Sequence, residues 1–143
     1  MTQDQKFSLH ERLAEDTIRL GRSNLCEIRL MNDQTWPWVL LVPMLAGIRE
    51  IYELSPEQQH LLLQESSSLS RGMMDVFGGD KMNVAALGNM VPQLHVHHIV
   101  RFEGDPAWPA PVWGKQPPVP YDEARLAEFK KAMAPVLSQL CIH

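Results

Sequence analysis

The chain has 143 residues, 45% hydrophobic and 21% charged, the proportions of one globular domain and not of a disordered chain. Its formal net charge is -4 and its longest basic tract is the pair Lys130-Lys131, which argues against sequence-independent binding to duplex nucleic acid. No apolar run approaches the roughly 18 residues of a spanning helix. The polar start, residues 1–6, leads into no apolar stretch, so no membrane span and no secretory leader are expected, and a cytoplasmic protein is. Cys26 and Cys141 stand 115 positions apart with no CxxC pair, the pattern of two reduced, non-ligating thiols.

Taken in order, residues 9–20 place Leu9, Leu13, Ile18 and Leu20 among charges and predict a short amphipathic helix that Gly21 ends. Residues 25–30 alternate Leu25, Glu27, Arg29 against Cys26, Ile28, Leu30, a half-buried strand. Asn32-Asp33 marks a turn. Residues 38–45 are apolar throughout and predict a strand buried on both faces. Ser55-Pro56-Glu57-Gln58 is a helix start, with Ser55 as cap, Pro56 at the first position and Gln58 completing a capping box. That helix is expected from 56 to about 77, stopped by Gly78-Gly79-Asp80. Short strands are expected at 82–87 and 94–102, with a turn at 88–92 between them. Residues 104–120 are too rich in proline for regular structure, and 122–140 predict a second helix that Pro135 kinks. Paired strands with long helices between and after them give an α+β fold with a largely antiparallel sheet.

Three of the six histidines fall within four positions, in Gln93-Leu94-His95-Val96-His97-His98-Ile99-Val100-Arg101. Strand alternation puts Gln93, His95, His97, Ile99 and Arg101 on one face and Leu94, Val96, His98 and Val100 on the other. The second face is mostly apolar and should meet the core. The first presents two imidazoles about 7 Å apart, beside the Gly88–Pro92 turn and Asn83. Imidazole titrates near neutrality and serves as nucleophile, acid, base or metal ligand. A metal reading needs a carboxylate partner. The first candidate, Glu103, lies six residues beyond His97, roughly 20 Å along an extended strand, too far to share an ion without a bend.

Asn83, then Gly88 after four residues, then Gln93-Leu94-His95-Val96-His97, resembles the histidine-triad (HIT) family, whose motif is His-φ-His-φ-His-φ-φ with φ apolar. The strand over 26–32, the strand over 38–43 that ends in Val-Pro, and the Leu54-Ser55 helix start fall where the family has its first hairpin and helix. The likeness covers residues 10–105 of a single domain spanning 1–143. The remainder, with Trp108 and Trp113, resembles a bacterial branch that is diadenosine-tetraphosphate-hydrolase-like. The resemblance implies a HIT-like α+β fold with one long helix on the sheet and a second, C-terminal helix, and a homodimer.

It also implies hydrolysis or transfer at the α-phosphate of a nucleoside phosphate, of dinucleoside polyphosphate or phosphoramidate type, through a covalent nucleotidyl-histidine. His95 takes the nucleophile's place. His97 takes the place of the third histidine, which donates to a phosphate oxygen. Asn83, Gly88 and Asn89 match phosphate-region positions, and Asn32 or its neighbour Asp33 matches the ribose-binding one. No cofactor is required, and magnesium is expected only as a companion of a polyphosphate substrate. Two residues depart from the pattern. Gln93 replaces the first histidine, and an amide hydrogen-bonds but cannot protonate a leaving group. His98 stands where the motif is apolar, and a hydrogen-bonded core or interface histidine is expected there. Gln93 keeps open an alternative, a non-catalytic purine-nucleotide-binding module. Arg101 shares the face of His95 and His97 and is in reach of a phosphate, but an ordinary salt bridge is the expectation. Trp36 and Trp38 are divided between base stacking and the core, and Trp108 and Trp113 between a pocket cover and a subunit interface.

Overall fold

The structure is a computed structural model that describes residues 6–142; most of the polar start, residues 1–5, and His143 lie outside the described residues. Its elements run α1 (Glu11–Asp16), β1 (Thr17–Arg22), β2 (Cys26–Met31), β3 (Trp38–Pro43), a 3-10 turn (Ile51–Glu53), α2 (Pro56–Phe77), β4 (Lys81–Ala85), β5 (Val96–Arg101) and α3 (Glu123–Leu140). The five strands form one sheet in the order β1-β2-β3-β5-β4, and every neighbouring pair is antiparallel. This is the expected α+β architecture, with a long helix and a C-terminal helix.

The helix expected over 9–20 is a correction. It stops at Asp16, and Thr17 turns the chain into β1. Ile18 and Leu20 suit a strand as well as a helix, and pairing with β2 decides for the strand. Gly21 therefore ends no helix. It lies at a register shift in β1, where the Sγ of Cys141 would stand 2.8 Å from any added Cβ. The α2 start behaves as its residues dictate. The Ser55 hydroxyl accepts from the Gln58 N–H, the Gln58 amide oxygen accepts from the Ser55 N–H, and Gly78 ends the helix at φ 64°. Gly72 in the middle of α2 permits a close crossing, because an added Cβ would meet Val136 of α3 at 2.7 Å.

The sheet separates two apolar layers. On one face Ile28, Leu30, Val39, Leu41, Val96 and Val100 pack under α2 and α3 with Leu62, Leu69, Met73, Phe129 and Met133. On the other, Trp38, Leu40, Val42 and Ile99 are covered by Leu13 of α1 and by Ala107 and Val112 of the irregular segment over 104–120. The alternation expected over 93–101 is thus realised, with Leu94, Val96 and Val100 on the helix-covered side and Ile99 on the other. The face that bears His95 and His97 is not an open polar row. It carries its own small core, and both histidines are buried.

Candidate functional site

His95 stands one residue before β5 and His97 is its second residue. Their ring centroids are 4.9 Å apart, closer than strand rise alone gives, because the two rings meet edge to face at 71°. The Nδ1 of His95 lies 2.7 Å from the carbonyl oxygen of Gln93. A carbonyl only accepts, so Nδ1 carries the hydrogen and Nε2 keeps its lone pair. Burial holds the His95 pKa below its ordinary value, opposed by the Gln93 carbonyl and aided by His10. His97 is pushed down to about 3, first by burial, then by His95 and His98. Burial thus favours the neutral form of both rings near pH 7, in which an imidazole carries one lone pair and one N–H.

A cavity of about 330 Å³ opens on both histidines, walled by Gly88 and Asn89, by Trp38 and Met31 of the sheet, by Arg12 and Asp16 of α1, and by Trp113. A second, of about 400 Å³, shares Arg12, Asp16, Met31, Trp38 and Trp113 and extends to Asn32, Asp33 and Gln116. The two make one cleft with histidines at one end and an Asn-Asp turn at the other. Arg12 is the one Lys or Arg that lines either cavity among the described residues. It also pairs with Asp16 at 3.3 Å. His97 sits in an aromatic corner. Trp38 and Trp113 lie 5.8 and 5.1 Å from its centroid, and the Trp38 indole N–H donates to His97 Nδ1 at 2.9 Å.

The residues singled out from sequence divide. His95, His97, Gly88 and Asn89 meet at one cavity. Gly88 takes φ 78°, a conformation that favours glycine, and so turns Asn89 toward the histidines' cavity. Asn32 and Asp33 line the other cavity, and one side-chain oxygen of each is engaged by the backbone. Asn32 Oδ1 accepts from the Tyr121 N–H, and Asp33 Oδ1 from the Thr35 and Val119 N–H groups. Asn83 lines neither cavity, and its Oδ1 accepts from Arg101 at 2.9 Å. Gln93 lines neither as well. Its side-chain amide donates to the Ser8 carbonyl and accepts from the His10 N–H. His98 is fully buried, with its ring nitrogens on Ser66 Oγ at 2.7 Å and the Val39 carbonyl at 3.3 Å, and burial pushes it down to about 4. Trp36 is core, 1% exposed. Trp108 packs its ring under the Arg101 guanidinium, which forms a buried pair with Asp105 at 2.9 Å.

Arg12, Asp16 and the bond from Trp38 escape a reading of the sequence alone. Arg12 and Asp16 show only an i,i+4 pair on a short helix, and nothing local says that this helix faces the histidines. Among the described residues no three His, Cys, Asp or Glu side chains converge in a metal-holding group, and no helix is long and apolar enough to cross a membrane.

The HIT domain model matches residues 12–104. A crystal structure of a histidine triad protein from Marinobacter aquaeolei is 69% identical, over 96% of this chain and 100% of that one, with a TM-score of 0.94. Histidine triad proteins from Sinorhizobium meliloti and Bradyrhizobium japonicum are 46% and 44% identical, each over 92% of this chain and over 97% and 98% of theirs, both with a TM-score of 0.89. No curated protein matches the chain.

Proposed function

The chain belongs to the histidine-triad (HIT) family, and on that premise we propose that it is a nucleotide hydrolase or nucleotidyl transferase acting at the α-phosphate of a nucleoside phosphate. The observation that carries the reading is the 2.7 Å contact from His95 Nδ1 to the Gln93 carbonyl. It leaves Nε2 as a neutral lone pair for the cavity that His97 shares. Attack forms an Nε2–P bond and breaks the bond from phosphorus to the leaving group. The positive charge that develops on the ring is stabilised at Nδ1–H by the same carbonyl. Water then cleaves the N–P bond, releasing the nucleoside monophosphate and the neutral ring. His97 donates to a phosphate oxygen, Asn89 contacts the phosphate region, and Arg12 supplies the cleft's positive charge. The Asn32 and Asp33 end takes the ribose.

No acid stands at the first position of the motif, because Gln93 is an amide held by the amino-terminal arm. The reading therefore favours leaving groups that depart without a proton, such as the polyphosphate of a dinucleoside polyphosphate, in line with a diadenosine-tetraphosphate-hydrolase-like branch. A phosphoramidate is the other candidate. Imidazole attacks phosphorus without a resident metal, and magnesium enters with a polyphosphate substrate. The same feature of Gln93 favours the second reading, a purine-nucleotide-binding module with no turnover. The cytoplasm fits two free thiols, Cys26 and Cys141. A homodimer fits the free edge of β4, where Val84 is half exposed beside Leu63 and Ile51.

The test is intact-protein mass spectrometry after brief incubation with diadenosine tetraphosphate or an adenosine phosphoramidate, on wild type and His95→Ala. The expected result is an AMP-sized increase or steady product release from wild type alone. Tight AMP binding with neither adduct nor product would replace the hydrolase by the binding module. Native spectra of the same preparation separate a pair from the single 16.3 kDa chain.

A further inference from the structure

We propose that Trp38 is a positioning residue of this site, whose indole N–H holds His97 in the Nε2–H tautomer so that the ring can only donate to phosphate. The role in phosphate binding rests on the function proposed above; the tautomer does not. Indole nitrogen is a donor and never an acceptor. The 2.9 Å contact from Trp38 Nε1 to His97 Nδ1 therefore has one polarity. Nδ1 must be bare, so the hydrogen of the neutral ring sits on Nε2. Protonation would set two N–H groups against each other across that contact.

The indole is not free to turn away. It is 6% exposed, with Trp36 edge-on at 6.3 Å and Trp113 edge-on at 5.8 Å. The His97 ring is confined in turn by Trp38, Trp113 and His95. Its surroundings also disfavour a positive ring. His95 and Arg12 face it in the cavity, His98 stands on the other side of β5, and Asp16 is the one carboxylate in that cavity's wall, where Arg12 already pairs with it. Among the described residues no other side chain is within hydrogen-bond reach of His97 Nδ1. The two histidines thus hold opposite tautomers. A backbone carbonyl leaves His95 a lone pair, and an indole leaves His97 an N–H. One attacks and the other donates, and neither choice depends on proton exchange with solvent.

The experiment replaces Trp38 by benzothienylalanine, which keeps the bicyclic shape and exchanges N–H for sulfur, and by Phe. Side-chain nitrogen NMR of the full chain without substrate reads the tautomer. Wild-type His97 should show a protonated Nε2 and a bare Nδ1 down to pH 5. In the benzothienyl variant the two tautomers should mix, and His97 should titrate at a higher pH than in wild type. With whichever nucleotide turns over, kcat should fall about 10- to 100-fold with KM changed less than about threefold, and a new acid limb should enter the kcat profile. A wild-type ring with hydrogen on Nδ1, or a benzothienyl variant with unaltered tautomer and kcat, would overturn the proposal. If no nucleotide forms an adduct with wild type, the hydrolase reading fails, and the spectrum still decides whether Trp38 sets His97.

Discussion

Gln93 shows how one side chain can belong to a motif without touching the site. In the sequence it occupies the first triad position, on the parity of His95 and His97, and is expected beside the phosphate. In the structure its backbone carbonyl orients His95 while its amide ties down Ser8 and His10. Those two residues lead into α1, which brings Arg12, Leu13 and Asp16 to the cavity wall. Under the proposed function, Gln93 would act on nucleotide binding through the arm it holds. Replacing it by Ala removes two hydrogen bonds worth roughly 1 kcal/mol each, so KM should rise about 5- to 20-fold while kcat moves less than threefold. Gln93→Glu keeps an acceptor for the His10 N–H and should recover part of the loss. Steady-state kinetics on the three proteins checks this. A collapse of kcat at constant KM would instead put the amide on the phosphate. Parity made the histidine pair legible from sequence. The destination of each hydrogen bond was not, because partners such as Ser8 and Trp38 are 85 and 59 positions away.

Among the elements, those with local punctuation were legible and those set by distant partners were not. The ends of α2 follow from Ser55, Pro56, Gln58 and Gly78, all written into the chain beside the helix. The switch from α1 to β1 does not, since Ile18 and Leu20 fit either period until β2 supplies a pairing partner. The proline-rich segment is legible only as irregular. Its path across the sheet, with Trp113 in the cavity wall, is fixed by Arg101 at the end of β5. That guanidinium is 1% exposed and holds Asp105, Asn83 and the Ala110 carbonyl at once. Burial works against the Asp105 carboxylate, but Arg101 and the backbone N–H groups of Phe102, Trp108 and Ala107 outweigh it and hold its pKa far below the usual range. Arg101→Met leaves that carboxylate buried without its cation, a change that costs about 3–5 kcal/mol. Urea unfolding of the variant against wild type should show that loss and, with it, weaker nucleotide binding as Trp113 loses its support. A loss under about 1 kcal/mol would mean that the segment is held by its apolar contacts alone.

For the molecule as a whole, β5 is the strand through which the two layers are joined, and neutral histidines make the joints. On one side His98 meets Ser66 of α2, and on the other His97 meets Trp38 within the cleft. Burial keeps His98 down to about 4, His97 down to about 3, and His95 below its ordinary value. In the unfolded chain each titrates near 6.5. Below that pH the unfolded state binds more protons than the native state, so stability rises with pH and falls as acid is added. The contribution of these rings is complete above about pH 6.5 and is lost toward pH 4, with a limiting slope of about 1.4 kcal/mol per pH unit for each ring. Asp105 adds little above about pH 4.5, because its carboxyl is depressed and its unfolded counterpart takes up protons only near pH 4. Urea unfolding at fixed protein concentration should therefore give a flat stability from pH 8 to 7 and a steep decline from pH 6 to 4.5. His98→Leu, which removes one titrating ring from the apolar layer, should reduce that slope by roughly one ring's share, about 1.4 kcal/mol per unit. An unchanged slope would show that His98 takes up protons in the native state as readily as in the unfolded one, and that the bond to Ser66 does not hold it neutral.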